Sequence, residues 1–334
     1  MKHIQFSFTG KNAEWRYVVM IGAIFLATNS IGAIPLLIGY GIKMFTNPEV
    51  MSRLAEDPQN MSLLGYSENL TFFMMVFPFL AAIGTFYFLV RPLHQRSFLQ
   101  TVTGSPSIRW ERFIISALMW ALFSAAYLFI YKGLDPTLFR LNNTTPTLLW
   151  LAIISLLLIP FQATFEEVLF RGYLMQGFTS MASGKDSRNP VKRVIAIIAG
   201  RVLFPLLMTS LLFSLMHTWN PEIKEYGFFT MMPQYLIFGL LFGTITILDD
   251  GLEIAAGAHT ANNIFLSIMV TNTSSTLQTP ALFEQLKINP WTEFWALLAT
   301  AVLFFLIMKS FYHWDNFAVL WGKIIPGKSE DQIV

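Results

Sequence analysis

Apolar residues along this chain gather into blocks of membrane-crossing length, separated by short polar stretches. Eight such blocks lie near 17–42, 70–90, 113–131, 147–170, 194–217, 233–248, 252–271 and 291–311. A helix needs about 20 apolar residues to cross a bilayer core of about 30 Å. Backbone in lipid must satisfy its own hydrogen bonds, so runs of this length read as helices. The pattern predicts an all-α fold, a polytopic transmembrane bundle of about eight membrane-spanning helices. The block 233–248 is short for a full crossing. The first block holds Gly22, Gly32, Pro35, Gly39 and Gly41, and a kink is expected near Pro35.

Composition supports this reading. Hydrophobic residues make up 54% of the 334 and charged residues 13%, against about 25% charged in a soluble domain. The formal charge is +2 with no basic stripe, which sets nucleic-acid binding aside. There are no cysteines, so disulfides, thiol nucleophiles and thiolate metal sites are excluded. The polar start, Met1 to Arg16, leads into a block read as a first span and not as a cleaved signal.

Orientation follows from lysines and arginines in the short loops. With eight crossings and an inside N-terminus, fourteen fall inside: Lys2, Lys11, Arg16, Arg91, Arg96, Arg109, Arg112, Lys185, Arg188, Lys192, Arg193, Lys309, Lys323 and Lys328. Six fall outside: Lys43, Arg53, Lys132, Arg140, Lys224 and Lys287. Both termini are therefore expected in the cytoplasm. The chain divides into N-terminal spans with polar loops (1–145), a candidate catalytic core (146–272), and a last span with a cytoplasmic tail (273–334). Loop 44–69 carries no period that predicts an element. No internal repeat is visible, which argues against a transporter built from duplicated halves.

Ionisable side chains inside a bilayer cost at least about 2.5 kcal/mol each when charged, and are functional candidates by default. Three clusters stand out. Glu166, Glu167 and Arg171 lie in the fourth block, His217 ends the fifth, and His259 and Asn263 lie in the seventh. Glu167 and Arg171 are four apart and share a helix face, so they can pair. That leaves Glu166, rotated by about 100°, free to face elsewhere. His259 and Asn263 share a face in the same way, as do Phe213 and His217. Each signal also has a plain structural explanation. A Glu–Arg pair can be a buried ion pair only, a membrane histidine is often an interhelical hydrogen-bonding group, and Phe213 alone is packing. Their joint occurrence on three spans carries the functional reading. Asn262 ranks behind Asn263 as a donor. Asp249 and Asp250, beside Gly251, read as turn residues, and His94 and His313 flank spans and read as solvated.

In a straight antiparallel hairpin, residues equidistant from the turn sit at equal depth. The midpoint of Glu166 and His217 falls between Pro190 and Val191, inside the polar run 185–193, so the two are expected to face each other. His259, however, lies only about eight residues, or roughly 12 Å, from the cytoplasmic start of its span. Reconciling the two depths requires a break in the fifth helix near Pro205 or a loop 218–232 that dips into the membrane.

A glutamate beside an imidazole can hold and deprotonate water. A second imidazole and a carboxamide can donate to a developing oxyanion. Carboxylate and imidazole together could instead hold zinc. The alternatives are a proton-coupled transporter, in which buried Glu and His relay protons, and a non-enzymatic binding protein.

Taken in order, Glu166-Glu167-x-x-x-Arg171, Phe213-x-x-x-His217 and His259-x-x-x-Asn263 resemble the motifs of the CPBP family of intramembrane proteases. That family includes CAAX prenyl endopeptidases and the bacteriocin-processing and bacteriocin-immunity proteins often labelled Abi. The resemblance covers about 150–270. It implies an intramembrane endopeptidase with Glu166 as water activator, His217 as its partner, and His259 and Asn263 as oxyanion donors. Glu167, Arg171 and Phe213 would support them. It leaves two options for cofactors: none, or a divalent zinc with Glu166, His217 and His259 as candidate ligands. The implied partners are membrane lipids and a protein or peptide substrate, and the implied location is a bacterial plasma membrane. An immunity-type member without activity is the main alternative within the family. The basic stretch 183–193 is longer than the family pattern leads one to expect.

Overall fold

A computed structural model describes residues 1–56, 61–143, 145–182, 189–276 and 278–324 of the chain. Among them, six helical stretches are long and apolar enough to cross a membrane: Glu14–Thr46, Glu68–His94, Trp110–Leu134, Thr147–Ser180, Phe228–Leu248 and Pro290–Tyr312. The protein is a helical membrane bundle. Rows of leucine, isoleucine and phenylalanine such as Leu118, Leu122 and Phe129 face outward, as lipid contact requires.

The blocks expected from the sequence appear with informative differences. The first divides into Glu14–Asn29 and Ile34–Thr46, with Pro35 in the opening turn of the second helix. Proline lacks an N–H and suits that position, so the kink falls just before it. The second divides at Pro78 into Glu68–Val76 and Pro78–His94. The fifth is broken between Pro190–Ala199 and Leu203–Met216. The break is at Gly200–Val202, a few residues ahead of Pro205. The sixth is longer than expected: its helix starts at Phe228 and carries Pro233 inside it. The seventh, Glu253–Met269, has 17 residues and is buried from Glu253 to Ala261.

That buried helix owes its place to small side chains. Ala255, Ala256, Gly257 and Ala258 let it lie against Trp110–Leu134, and a Cβ on Gly257 would stand 2.2 Å from the Phe113 carbonyl oxygen. Small residues at helix contacts allow this close backbone approach in membranes. Gly172 plays the same part where the fourth helix meets the segment Phe98–Val102, since a Cβ there would lie 2.6 Å from the Thr101 carbonyl oxygen.

The two ends of the described chain meet at one end of the bundle. Met1, Ile4 and Phe8 pack with Val202 and Leu206 and with Val319, Leu320 and Ile324. At the other end, Phe139–Leu141, Phe283–Gln285 and Val270–Thr271 form a small sheet, antiparallel between the first two and parallel between the last two. Loop 44–69 holds a helix, Pro48–Glu56, whose Val50 and Leu54 pack with Leu64 against Leu36, Tyr40 and Tyr66. The part of the basic stretch over 183–188 lies outside the described residues.

Two further expectations need correction. His94 is not solvated. It is fully buried, one ring nitrogen 2.7 Å from the Tyr173 hydroxyl and the other 2.8 Å from the Lys11 carbonyl oxygen. The N-terminal segment folds back over it, which span-flanking position alone does not reveal. Asp249 is more than a turn residue. It is buried and bridges Arg109, at 3.1 Å, and Arg112. Asp250 takes the left-handed turn conformation, with φ 55°.

Candidate active site

The fourth helix enters the site as an α-helix, Thr147–Glu167, and continues as a π-helical stretch, Val168–Leu174. Wide turns of this kind are rare and recur at functional sites. The change of winding begins directly after the two glutamates. Glu167 and Arg171 still pair, with Arg171 Nη1 donating to Glu167 Oε1 at 2.9 Å, and both side chains are fully buried. Two charges out of water are stable only when matched and hydrogen-bonded. Arg171 gains two further contacts. It donates to the Phe238 carbonyl oxygen at 3.3 Å, and its guanidinium lies 4.2 Å from the Phe213 ring centre.

His259 sits between the two glutamates. Its Nδ1 lies 2.8 Å from Glu167 Oε1, and its Nε2 lies 3.8 Å from Glu166 Oε2. A carboxylate bound to Arg171 accepts only, so Nδ1 of His259 is the donor. The ring is further held by the aromatic face of Phe242, stacked at 5.7 Å between centres. Glu167 is thus committed to Arg171 and His259. Glu166 is partly exposed, and among the described residues only its Oε1 is hydrogen-bonded, to the amide of Gln162.

Asn263, one turn beyond His259, donates from Nδ2 to Gln162 Oε1 at 2.9 Å. Glu166, Glu167, Arg171, His259 and Asn263 therefore form one connected group, with Gln162 as the link. Gln162 was not singled out from sequence. Its signal was present: a lone glutamine in an apolar run, four residues before Glu166 and on the same helix face.

His217 is brought near this group but not into contact with Glu166. It terminates the helix Leu203–Met216, and its Nδ1 lies 2.8 Å from the Phe213 carbonyl oxygen. A carbonyl can only accept, so Nδ1 carries a proton, and it is the neutral form of the ring that has its lone pair on Nε2. Its ring stacks on Tyr235, 4.2 Å between centres and 21° between planes. Tyr235 is a second residue absent from the sequence reading, since an aromatic residue in an apolar helix carries no signal of its own. Its hydroxyl is hydrogen-bonded to Glu222.

The straight hairpin expected from sequence does not form, because the fifth block is interrupted at Gly200–Val202. The remaining helix has 14 residues, or about 21 Å, less than a full crossing. This removes the conflict of depths. His217 and His259 both border the Phe213 ring, at 4.8 and 6.0 Å between centres. Phe213 also packs edge-on against Phe170 at 5.4 Å. It is the apolar partition around which the polar groups are arranged.

A catalytic zinc usually takes three protein ligands and keeps one position open. Of the candidate ligands Glu166, His217 and His259, the first and last approach each other at 3.8 Å, while His217 is held separately, its Nδ1 on the Phe213 carbonyl and its ring on Tyr235. Among the described residues, no group of three or more His, Cys, Asp or Glu is placed to hold a metal ion. As arranged, the described residues do not gather the three ligands that a catalytic zinc takes.

Over 301 residues the chain is 28% identical to the uncharacterized protein YyaK of Bacillus subtilis (strain 168), an alignment covering 88% of this chain and 91% of that protein. No solved structure matches the chain. Residues 145–265, which contain all three motifs, match the family model described as type II CAAX prenyl endopeptidase Rce1-like. This segment, with its paired glutamates, its two histidines and its asparagine, is thus similar to the Rce1-like type II CAAX prenyl endopeptidases, a likeness consistent with the CPBP family.

Proposed function

We propose that the chain hydrolyses peptide bonds of membrane-associated proteins or peptides with a water activated by Glu166. The observation that carries this reading is the unequal state of the two neighbouring glutamates. Glu167 is fully buried and committed to Arg171 and His259. Glu166 is partly exposed, and its Oε2, 3.8 Å from His259 Nε2, has no hydrogen bond among the described residues. A base must have an open oxygen within reach of water, and only Glu166 meets that condition.

In this reading the water gives a proton to Glu166 as its oxygen attacks the substrate carbonyl carbon. His217 Nε2 accepts a second hydrogen bond from the same water. The developing oxyanion takes hydrogen bonds from Asn263 Nδ2 and His259 Nε2. Because His259 Nδ1 already donates to Glu167, donation from Nε2 requires the imidazolium. Two carboxylates then face two cations, Arg171 and His259. The proton held by Glu166 passes to the leaving amine nitrogen as the C–N bond breaks.

Glu166→Gln keeps the side-chain shape and removes its basicity. It is expected to cut turnover by about 100-fold or more while the protein still folds, since a neutral amide is cheaper to bury than a carboxylate. The test is a comparison of membrane peptides from cells carrying the parent or the variant at equal folded protein. Intact substrates that accumulate only with the variant support the proposal. Identical peptide patterns would sink it and favour an immunity or binding role. Independence from metal is tested on the purified parent. Activity should survive a strong chelator, with substoichiometric zinc in the protein.

A further inference from the structure

Four hydrogen bonds join five side chains from three helices in single file. Trp120 Nε1 donates to Asn262 Oδ1 at 3.1 Å. Asn262 Nδ2 donates to Asn263 Oδ1 at 3.0 Å. Asn263 Nδ2 donates to Gln162 Oε1 at 2.9 Å. Gln162 Nε2 donates to Glu166 Oε1. Trp120 and Gln162 are buried, and the two asparagines are partly buried.

The ends of this file dictate its direction. An indole nitrogen can only donate, and an ionised carboxylate can only accept. Between them stand three carboxamides, each of which could be turned either way about its last bond. Reversing any one sets N–H against N–H on one side and oxygen against oxygen on the other. With Trp120 at one end and Glu166 at the other, a single orientation satisfies every bond.

That orientation matters for chemistry. Asn263 can stabilise an oxyanion only if it presents its NH2 group to the reacting carbonyl. Presenting its oxygen would repel the charge that develops there. Resting on the function proposed above, we propose that Trp120, Asn262 and Gln162 are positioning residues that lock the Asn263 carboxamide with its NH2 on the Glu166 side. Gln162 also ties the base to the oxyanion donor, so the two move as a unit. Trp120 and Gln162 lie outside the motif positions, and Asn262 stands between two of them.

Asn262 gives the sharpest test, because two substitutions there have opposite expectations under this proposal and under simple packing. Asn262→Asp preserves size but cannot donate, so at pH 8 the introduced carboxylate draws the NH2 of Asn263 towards itself and turns its oxygen to the site. The expected loss is about 100-fold in kcat with KM within twofold, the size of losing an oxyanion donor. Asn262→Ala leaves Asn263 free to settle either way, with a smaller loss, roughly 10-fold. Packing alone predicts the reverse order, with the isosteric variant near the parent. The probe is a quenched fluorogenic farnesylated peptide ending in a CAAX sequence, used with the full chain in detergent micelles.

A second measurement needs no substrate and separates this proposal from the protease reading. In protein labelled with 15N at tryptophan, the Trp120 indole resonance is identified by its absence in Trp120→Phe. Gln162→Met and Glu166→Gln, at the far end of the file, should each shift it and speed its exchange with solvent. Ser155→Ala, which removes a 3.0 Å bond to Ser267 from the Gln162-bearing helix but outside the file, should leave it in place. A shifted indole with no peptide cleavage by the parent supports the file and counts against the protease reading. An indole unmoved by Gln162→Met and Glu166→Gln, or an Asn262→Asp protein with the kcat of the parent, overturns the proposal.

Discussion

His259 Nδ1 and Arg171 Nη1 converge on the same oxygen of Glu167, at 2.8 and 2.9 Å. Its other oxygen, Oε2, is buried without a hydrogen-bond partner among the described residues. One carboxylate oxygen thus holds together the fourth helix and the buried helix Glu253–Met269. Glu167→Gln leaves a guanidinium in the core without its counter-charge. The expected cost is about 3–5 kcal/mol, seen as a lower yield of folded protein and a lower unfolding midpoint in detergent. Glu166→Gln should leave both near the parent. Equal stability of the two variants would refute the division of labour between the glutamates.

Gly257 tests the close helix approach that sets His259 in place. Gly257→Ala puts a Cβ 2.2 Å from the Phe113 carbonyl oxygen and from Ser116 Oγ. Backbone must then shift, at about 1–3 kcal/mol, and His259, two residues on, shifts with it. Both thermal stability and activity should fall. Gly84→Ala is the control, since nothing lies within 4 Å of its added Cβ. There the gain in helix propensity should leave stability equal or slightly higher. A Gly257→Ala protein as stable as the Gly84→Ala protein would contradict the contact.

The docking of the N-terminal segment should depend on pH through His3. The ring is fully buried, with Nε2 2.8 Å from the Thr101 carbonyl oxygen and Nδ1 without a partner among the described residues. Burial holds its pKa below the ordinary 6.5, against weaker opposing effects of the Thr101 bond and of Asp250 and Glu253. The docked form therefore takes up a proton less readily than the undocked one. Docking is at full strength above pH 6.5 and weakens as pH falls from there towards the lowered value. Hydrogen exchange of residues 2–8, corrected for its intrinsic pH dependence, should be faster at pH 5 than at pH 7.5. His3→Gln should abolish the difference. Equal protection at both pH values in the parent would exclude this effect.

Packing of Met1, Ile4 and Phe8 with Val319, Leu320 and Ile324 sets both ends of the described chain on one side of the bundle, and we propose from the lysine and arginine bias that this side faces the cytoplasm. Reporter fusions after Ile324 and within 278–289 should report opposite compartments. The same compartment for both would overturn the assignment.

The sequence by itself determined the class of the fold and picked out the candidate site residues. Length and apolarity of a run decide whether it forms a membrane helix, because the solvent there is uniform and leaves few alternatives. Spacing four apart made the Glu167–Arg171 pair legible, since that contact is local to one helix. The tertiary structure alone decided what crosses between helices. It broke the fifth block at Gly200–Val202, set His217 against the face of Tyr235, put His259 between two carboxylates, and threaded Gln162 between Glu166 and Asn263. It also buried His94, which its flanking position had made to look solvated, and Asp249, which read as a turn residue. None of these follows from a local period, because each depends on where a second helix stops, turns or approaches. That is set by packing of small residues such as Gly257 and by matching of hydrogen-bond donors to acceptors in a medium without water.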